Sequence, residues 1–81
     1  MAKKQLLEDI KVEPTRFFRA PSDVLRDRRF SDSERFEILS AWEKFAQHTE
    51  GEDARLNAIV AARTEVEGKL AAHNLNGTVV P

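Results

Sequence analysis

The feature that most constrains this chain is Ser31-Asp32-Ser33-Glu34, followed by an apolar stripe at helical spacing. A serine and a glutamate three residues apart form a capping box, in which each side chain satisfies an amide left open at a helix start. At about 100° per residue, Ile38, Ala41, Trp42 and Phe45 then share one face. Leu39 and Ala46 widen it, and Phe36 lies at its edge near Ser40, Glu43 and Gln47. The spacing predicts a helix from Asp32 to about Thr49. Gly51 supplies the stop, because glycine tolerates the left-handed conformation after a helix.

A second long helix is expected from Glu52 or Asp53, whose charges suit the positive end of a helix dipole. Leu56, Ile59, Val60, Val66 and Leu70 form its stripe. Ala58, Ala61, Ala62 and Ala72 are placed opposite, where small residues admit a close helix or simply reflect helix propensity. Gly68 weakens the last turns by about 1 kcal/mol relative to alanine. Asn74 and Gly77 are expected to end the helix, leaving a flexible tail over 75–81.

Upstream, Ser22 is the expected N-cap of one short turn running from Pro21 or Ser22 to about Asp27. Val24 and Leu25 would point at a core. Leu6, Leu7 and Ile10 fit one helical face, but a segment this short is a marginal helix by itself. Pro14 and Pro21 bias the residues before them towards extended backbone. Residues 1–21 are therefore expected to form an irregular N-terminal arm carrying two aromatic anchors, Phe17 and Phe18. The expected fold is all-α, a small single helical domain over 1–81. Its helical core, 22–74, contains a central antiparallel helical hairpin and a short preceding helix. Trp42, Phe45, Ile38, Leu39, Leu56, Ile59, Val60, Val24 and Leu25 are the expected core.

Composition removes several function classes. A chain of 81 residues and 9.2 kDa buries about 63% of its surface on folding, enough for one small core and no deep enclosed cavity. With no cysteine, disulfides, thiolate metal sites and cysteine nucleophiles are excluded. The longest apolar run, Ala58 to Ala62, falls far short of the about 20 residues of a membrane-spanning helix. The N-terminal segment is too short and too acidic for a signal peptide, so a cytoplasmic protein is expected.

The stretch from Arg19 to Val60 resembles a family of small uncharacterised proteobacterial proteins. The resemblance is carried by Pro21-Ser22-Asp23-Val24-Leu25, the capped start Phe30-Ser31-Asp32-Ser33-Glu34, and Ile38-Leu39 followed by Trp42. It covers about half of the chain and implies a small helical fold in a bacterial cell. It implies no activity and no functional residues.

Each candidate chemistry has a structural counterpart. His48 and His73 are the general acid–base candidates, but no phosphate loop, nucleophile elbow or His-Glu-x-x-His accompanies them. His48, Glu50, Glu52 and Asp53 could hold a cation weakly. Helix-end electrostatics explain the same cluster, and its spacing fits neither a calcium loop nor structural zinc. Arg16, Arg19, Arg26, Arg28, Arg29 and Arg35 give residues 1–35 a net +2, while 36–81 carry −3. Interleaved Asp23, Asp27, Asp32 and Glu34 blunt phosphate attraction, and the whole chain is at −1. Phe17 and Phe18 either pack together under the arm or leave one ring as a partner anchor, with Phe36 as a second surface. Arg63 and Glu67 interrupt the last helix's stripe, either as a solvated end or as a paired interface charge. The function expected is a non-enzymatic protein-interaction module, an adaptor or regulatory subunit. Its partner would be another protein or a second copy, and it would use Phe17, Phe18, Phe36, Arg63 or Glu67. The alternative is a nucleic-acid-associated regulator using the arginine-rich half, with a small enzyme or metal binder behind it. No catalytic, cofactor or metal residue is assigned.

Overall fold

The computed structural model describes residues 2–79, with side chains from residue 3 to residue 72. Four α-helices follow one another: α1 (Ala2–Val12), α2 (Pro21–Arg26), α3 (Asp32–Gln47) and α4 (Asp53–Val79). A 3-10 turn, Pro14–Arg16, separates α1 from α2. Among the described residues there is no strand. The two long helices pack on each other as the hairpin.

The capping box forms as the spacing requires. Glu34 N donates to Ser31 Oγ at 3.2 Å, and Ser31 N donates to Glu34 Oε1 at 2.8 Å. That backbone bond, followed by Lys3 beside it, holds the Glu34 carboxyl below its ordinary range. In the link before α3, Arg29 forks onto Asp27 at 2.7–3.2 Å and lowers the Asp27 pKa. Arg35 spans the same link, donating to Asp27 O and Asp32 Oδ1 at 2.8 Å each. Both lowered carboxylates stabilise the folded state while ionised. That contribution is present above their ordinary pKa and disappears as pH falls through the lowered values. At the other end of α3, Gly51 sits at φ 91°, where residues with side chains are strained.

Trp42, Ile38, Leu39, Ala46, Ile59, Val24 and Val66 have no exposed surface and form one cluster. Phe45, Leu56 and Leu25, expected in the core, are partly buried against it.

The N-terminal segment differs from the irregular arm expected. It contains α1, whose Ile10 is fully buried and whose Leu6 and Leu7 pack on the core. An 11-residue helix is marginal alone. Docking stabilises it, with Lys3–Glu34 at 3.0 Å and Lys11–Glu37 at 2.7 Å along α3. Within residues 2–20, irregular backbone is confined to the stretch from Glu13 to Ala20, apart from the 3-10 turn.

Three smaller expectations also change. Ala20, not Ser22, caps α2: it is extended at φ −140° and ψ 151°, and Pro21 takes the first helical position. Proline lacks the amide that this position would leave unsatisfied. Asp23 Oδ2 accepts the Ala20 amide at 3.3 Å. Next, α4 continues past Asn74 and Gly77 to Val79, because a lone helical glycine costs only about 1 kcal/mol. Of the expected tail, 75–79 are helical, and Val80 and Pro81 lie outside the described residues. Finally, Ala62 is buried while Val60 is only half-buried. The contact face is centred on Ile59 and Val66, about 60° from Ala62 and about 100° from Val60.

Phe17 and Phe18 part company. Phe18 is buried and stacks on Trp42 with ring centroids 6.3 Å apart and planes at 30°, whereas Phe17 is 40% exposed. Phe18→Ala should therefore destabilise by roughly 3 kcal/mol, or on the order of 15 °C in Tm. Phe17→Ala should shift Tm by no more than about 3 °C. Thermal melts followed by circular dichroism check both, and equal losses would contradict this division.

Candidate functional site

Nearly every large apolar side chain described is at least partly buried; the exposed ones are Val12, at 75%, and Phe17, at 40%. Both are placed by the break between α1 and α2. Pro14 cannot continue α1, since it lacks an amide and clashes with the preceding turn. The chain turns there, and Phe17 N and Phe18 N both donate to Pro14 O, at 3.0 and 3.1 Å. That tight turn sends Phe18 inward and leaves Phe17 outside.

Val12 lies about 200° around α1 from the buried Ile10, so it faces away from the core. It stands on a ridge between two shallow grooves. The first, about 310 Å³, runs from Val12 to Phe17 past Asp9, Glu13 and Arg16. The second, about 280 Å³, has an apolar floor at Ala41 and Phe45, with Lys11, Lys44 and His48 at its edge. One groove is thus net acidic and the other basic. Lys11 is engaged by Glu37 and Glu8, and the Glu37 contact leads in raising its pKa. Lys44 and Glu13 make no ion pair among the described residues.

The other expected site residues do not gather here. Phe36 is half-buried against the core. Arg63 reaches across the hairpin to Glu43 Oε1 at 2.7 Å, and Glu67 is exposed. Arg63 is therefore an interhelix charge, and the pair it forms is with α3 rather than Glu67. The alanine side of α4 already has a neighbour: Pro21, Ser22 and Leu25 of α2 face Ala58, Ala61 and Ala62 across a third groove of about 280 Å³. Val12, Glu13 and Lys44 were missed as surface residues. Val12 had a readable signal, its position out of phase with Leu6, Leu7 and Ile10. Lys44 and Glu13 are neighbours of one ridge only through the docking of α1 on α3.

His48 caps the end of α3, its amide donating to Lys44 O and Phe45 O at 3.2 and 3.3 Å. Glu52 faces Arg55 at 3.8 Å, while Glu50 and Asp53 are exposed. Among the described residues, no three His, Asp or Glu side chains are placed to hold one metal ion. The side chain of His73 lies outside the described residues. Of the arginines, Arg29 and Arg35 hold the link before α3, and Arg29 also lies 5.2 Å from the centroid of the buried Phe30 ring. Arg16 lines the acidic groove. Arg19, Arg26 and Arg28 are exposed, without an ion pair among the described residues. No described helix is long and apolar enough to cross a membrane.

The Arg63–Glu43 contact is more sheltered than an ordinary surface pair, at 31% and 18% side-chain exposure, and Arg63 Nε is buried without an acceptor among the described residues. In urea unfolding followed by Trp42 fluorescence, Arg63→Ala should cost about 1–2 kcal/mol. A double-mutant cycle with Glu43→Ala should give a coupling of roughly 0.5–1 kcal/mol. Glu67→Ala should stay within about 0.5 kcal/mol of the parent. A coupling of zero would show that the contact is only geometric. No protein-family model, curated protein or solved structure matches this chain.

Proposed function

We propose that this protein is a non-enzymatic protein-interaction module, an adaptor or regulatory subunit, that binds through the Val12–Phe17 ridge. One observation carries the proposal: among the described residues, the exposed large apolar side chains adjoin one groove, while the other large ones are at least partly buried. Aromatic anchors flanked by arginine, as Phe17 is by Arg16, are the residue types on which binding energy concentrates. The rim is mixed in charge, which gives a partner orientation more than affinity. The bacterial cytoplasm expected from the sequence belongs to the same proposal.

The test compares wild type, Phe17→Asp and Val12→Asp as baits for crosslinking capture from the source cell, at matched melting temperatures. A near-stoichiometric protein held by wild type and lost by both variants supports the proposal. Identical captures from all three baits would overturn it.

A nucleic-acid-associated role is the second reading, favoured by the exposed Arg19, Arg26 and Arg28, which form no ion pair among the described residues. It expects oligonucleotide affinity that falls steeply with salt, with a log–log slope near −3 if each arginine neutralises one phosphate. Absence of binding to DNA or RNA oligonucleotides at about 50 mM salt would remove it.

A further inference from the structure

We propose that the Val12 ridge is a two-fold interface between two copies of this chain. The proposal rests on the interaction-module reading and names its partner. A symmetric dimer must be self-complementary: if residue i meets residue j, then j meets i. This surface supplies both halves of such a match. Val12 belongs to both grooves, with Asp9 and Glu13 on one side and Lys44 and His48 on the other. A two-fold axis through Val12 lays the acidic groove of each copy against the basic groove of the other. Glu13 then faces Lys44 twice, and both lack an ion-pair partner within their own chain among the described residues.

The apolar parts match in the same sense. Phe17 projects from the acidic groove with 40% of its surface exposed. The basic groove offers about 280 Å³ between Ala41 and Phe45, larger than the roughly 150 Å³ cavity that holds a benzene ring. The same rotation that pairs the charges brings Phe17 to that floor. An unrelated partner would need only one groove. The presence of an acidic and a basic groove sharing one ridge residue favours a second copy.

Two shallow grooves and one ridge make a small contact surface, so a dissociation constant in the micromolar range or weaker is expected. Sedimentation of the full chain from about 10 µM to about 1 mM at low salt covers it. Wild type should show a monomer–dimer equilibrium that weakens as salt rises. Glu13→Lys and Lys44→Glu each create two like-charge contacts per dimer and should raise the dimer dissociation constant at least about tenfold. An equimolar mixture of the two variants should restore dimers. In the mixed pair both contacts are opposite in sign, because the two substituted side chains meet at one contact and the unchanged Lys44 and Glu13 meet at the other. Circular dichroism melts establish that each variant is folded, and Val12→Asp serves as a second interface variant. A folded wild type that stays monomeric at about 1 mM overturns the proposal, as does a mixture no more dimeric than the single variants. If wild type is monomeric but Phe17→Asp still loses a captured protein, the dimer fails and the interaction module stands. If captures are also identical, both fail.

Discussion

A two-helix hairpin is one layer thick, and an indole on its contact face has solvent on at least one side unless a third element covers it. Trp42 has no exposed surface. That burial is the constraint on which the rest depends. Phe18 supplies one cover by stacking on the indole, and Ile10 of α1, Val24 of α2 and Ile59 of α4 join the same cluster. The chain can complete this core because the breaks at Pro14 and Pro21 return α1 and α2 to the two long helices. The cover is not perfect, since Trp42 Nε1 is buried with no hydrogen-bond partner among the described residues. An unmet donor of this kind costs about 1–3 kcal/mol. A large apolar ring that fills the centre of an 81-residue domain offsets it.

The parts legible in the sequence are those set by local physics. Ser31 and Glu34 sit three apart and cap each other, so the start of α3 could be placed to the residue. Gly51 marks the turn because its φ is one that a β-carbon disfavours. Period-3.6 stripes placed Ile38, Leu39, Trp42 and Ile59 in the core without error. The parts that were not legible are tertiary. Ile10 and Phe30 lie outside the long helices, and nothing local says that α1 returns to α3. Phe30 had one weak signal, its position just before an N-cap, where an apolar residue commonly staples the helix entry. Ala62 was misplaced because five apolar residues at inexact spacing define a stripe only to within about 60°.

The charges divide by role in a way that composition conceals. The chain is nearly neutral, yet Arg29 and Arg35 are committed to the link before α3, and Lys3 and Lys11 tie α1 to α3. The excess of arginine in the first half is therefore partly structural. Two of the charges outside these pairs are brought to one ridge by tertiary contact: Glu13 follows the end of α1 and Lys44 lies in the last turn of α3. They are 31 positions apart and adjoin one ridge only because α1 docks. A linear charge count sees two opposite charges, whereas the fold turns them into two sides of a surface.

Under the proposed interaction role, folding and recognition would be coupled through α1. Its inward side, Leu6, Leu7 and Ile10, covers the core, and its last residue forms the ridge. A helix of this length is marginal in isolation, so its order depends on docking and on the exposed Lys3 and Lys11 pairs, each of which contributes only modestly. A partner that spanned Val12 and the neighbouring α3 residues Ala41 and Phe45 would favour the docked form over the undocked one. Occupancy at a hundred times the dissociation constant would then add about 2.7 kcal/mol to the stability of that docking. The reciprocal also holds: weakening the docking, for example by losing Ile10 packing, lowers affinity at a ridge that Ile10 does not line. The segment that completes the core is thereby also the segment whose order a partner would control.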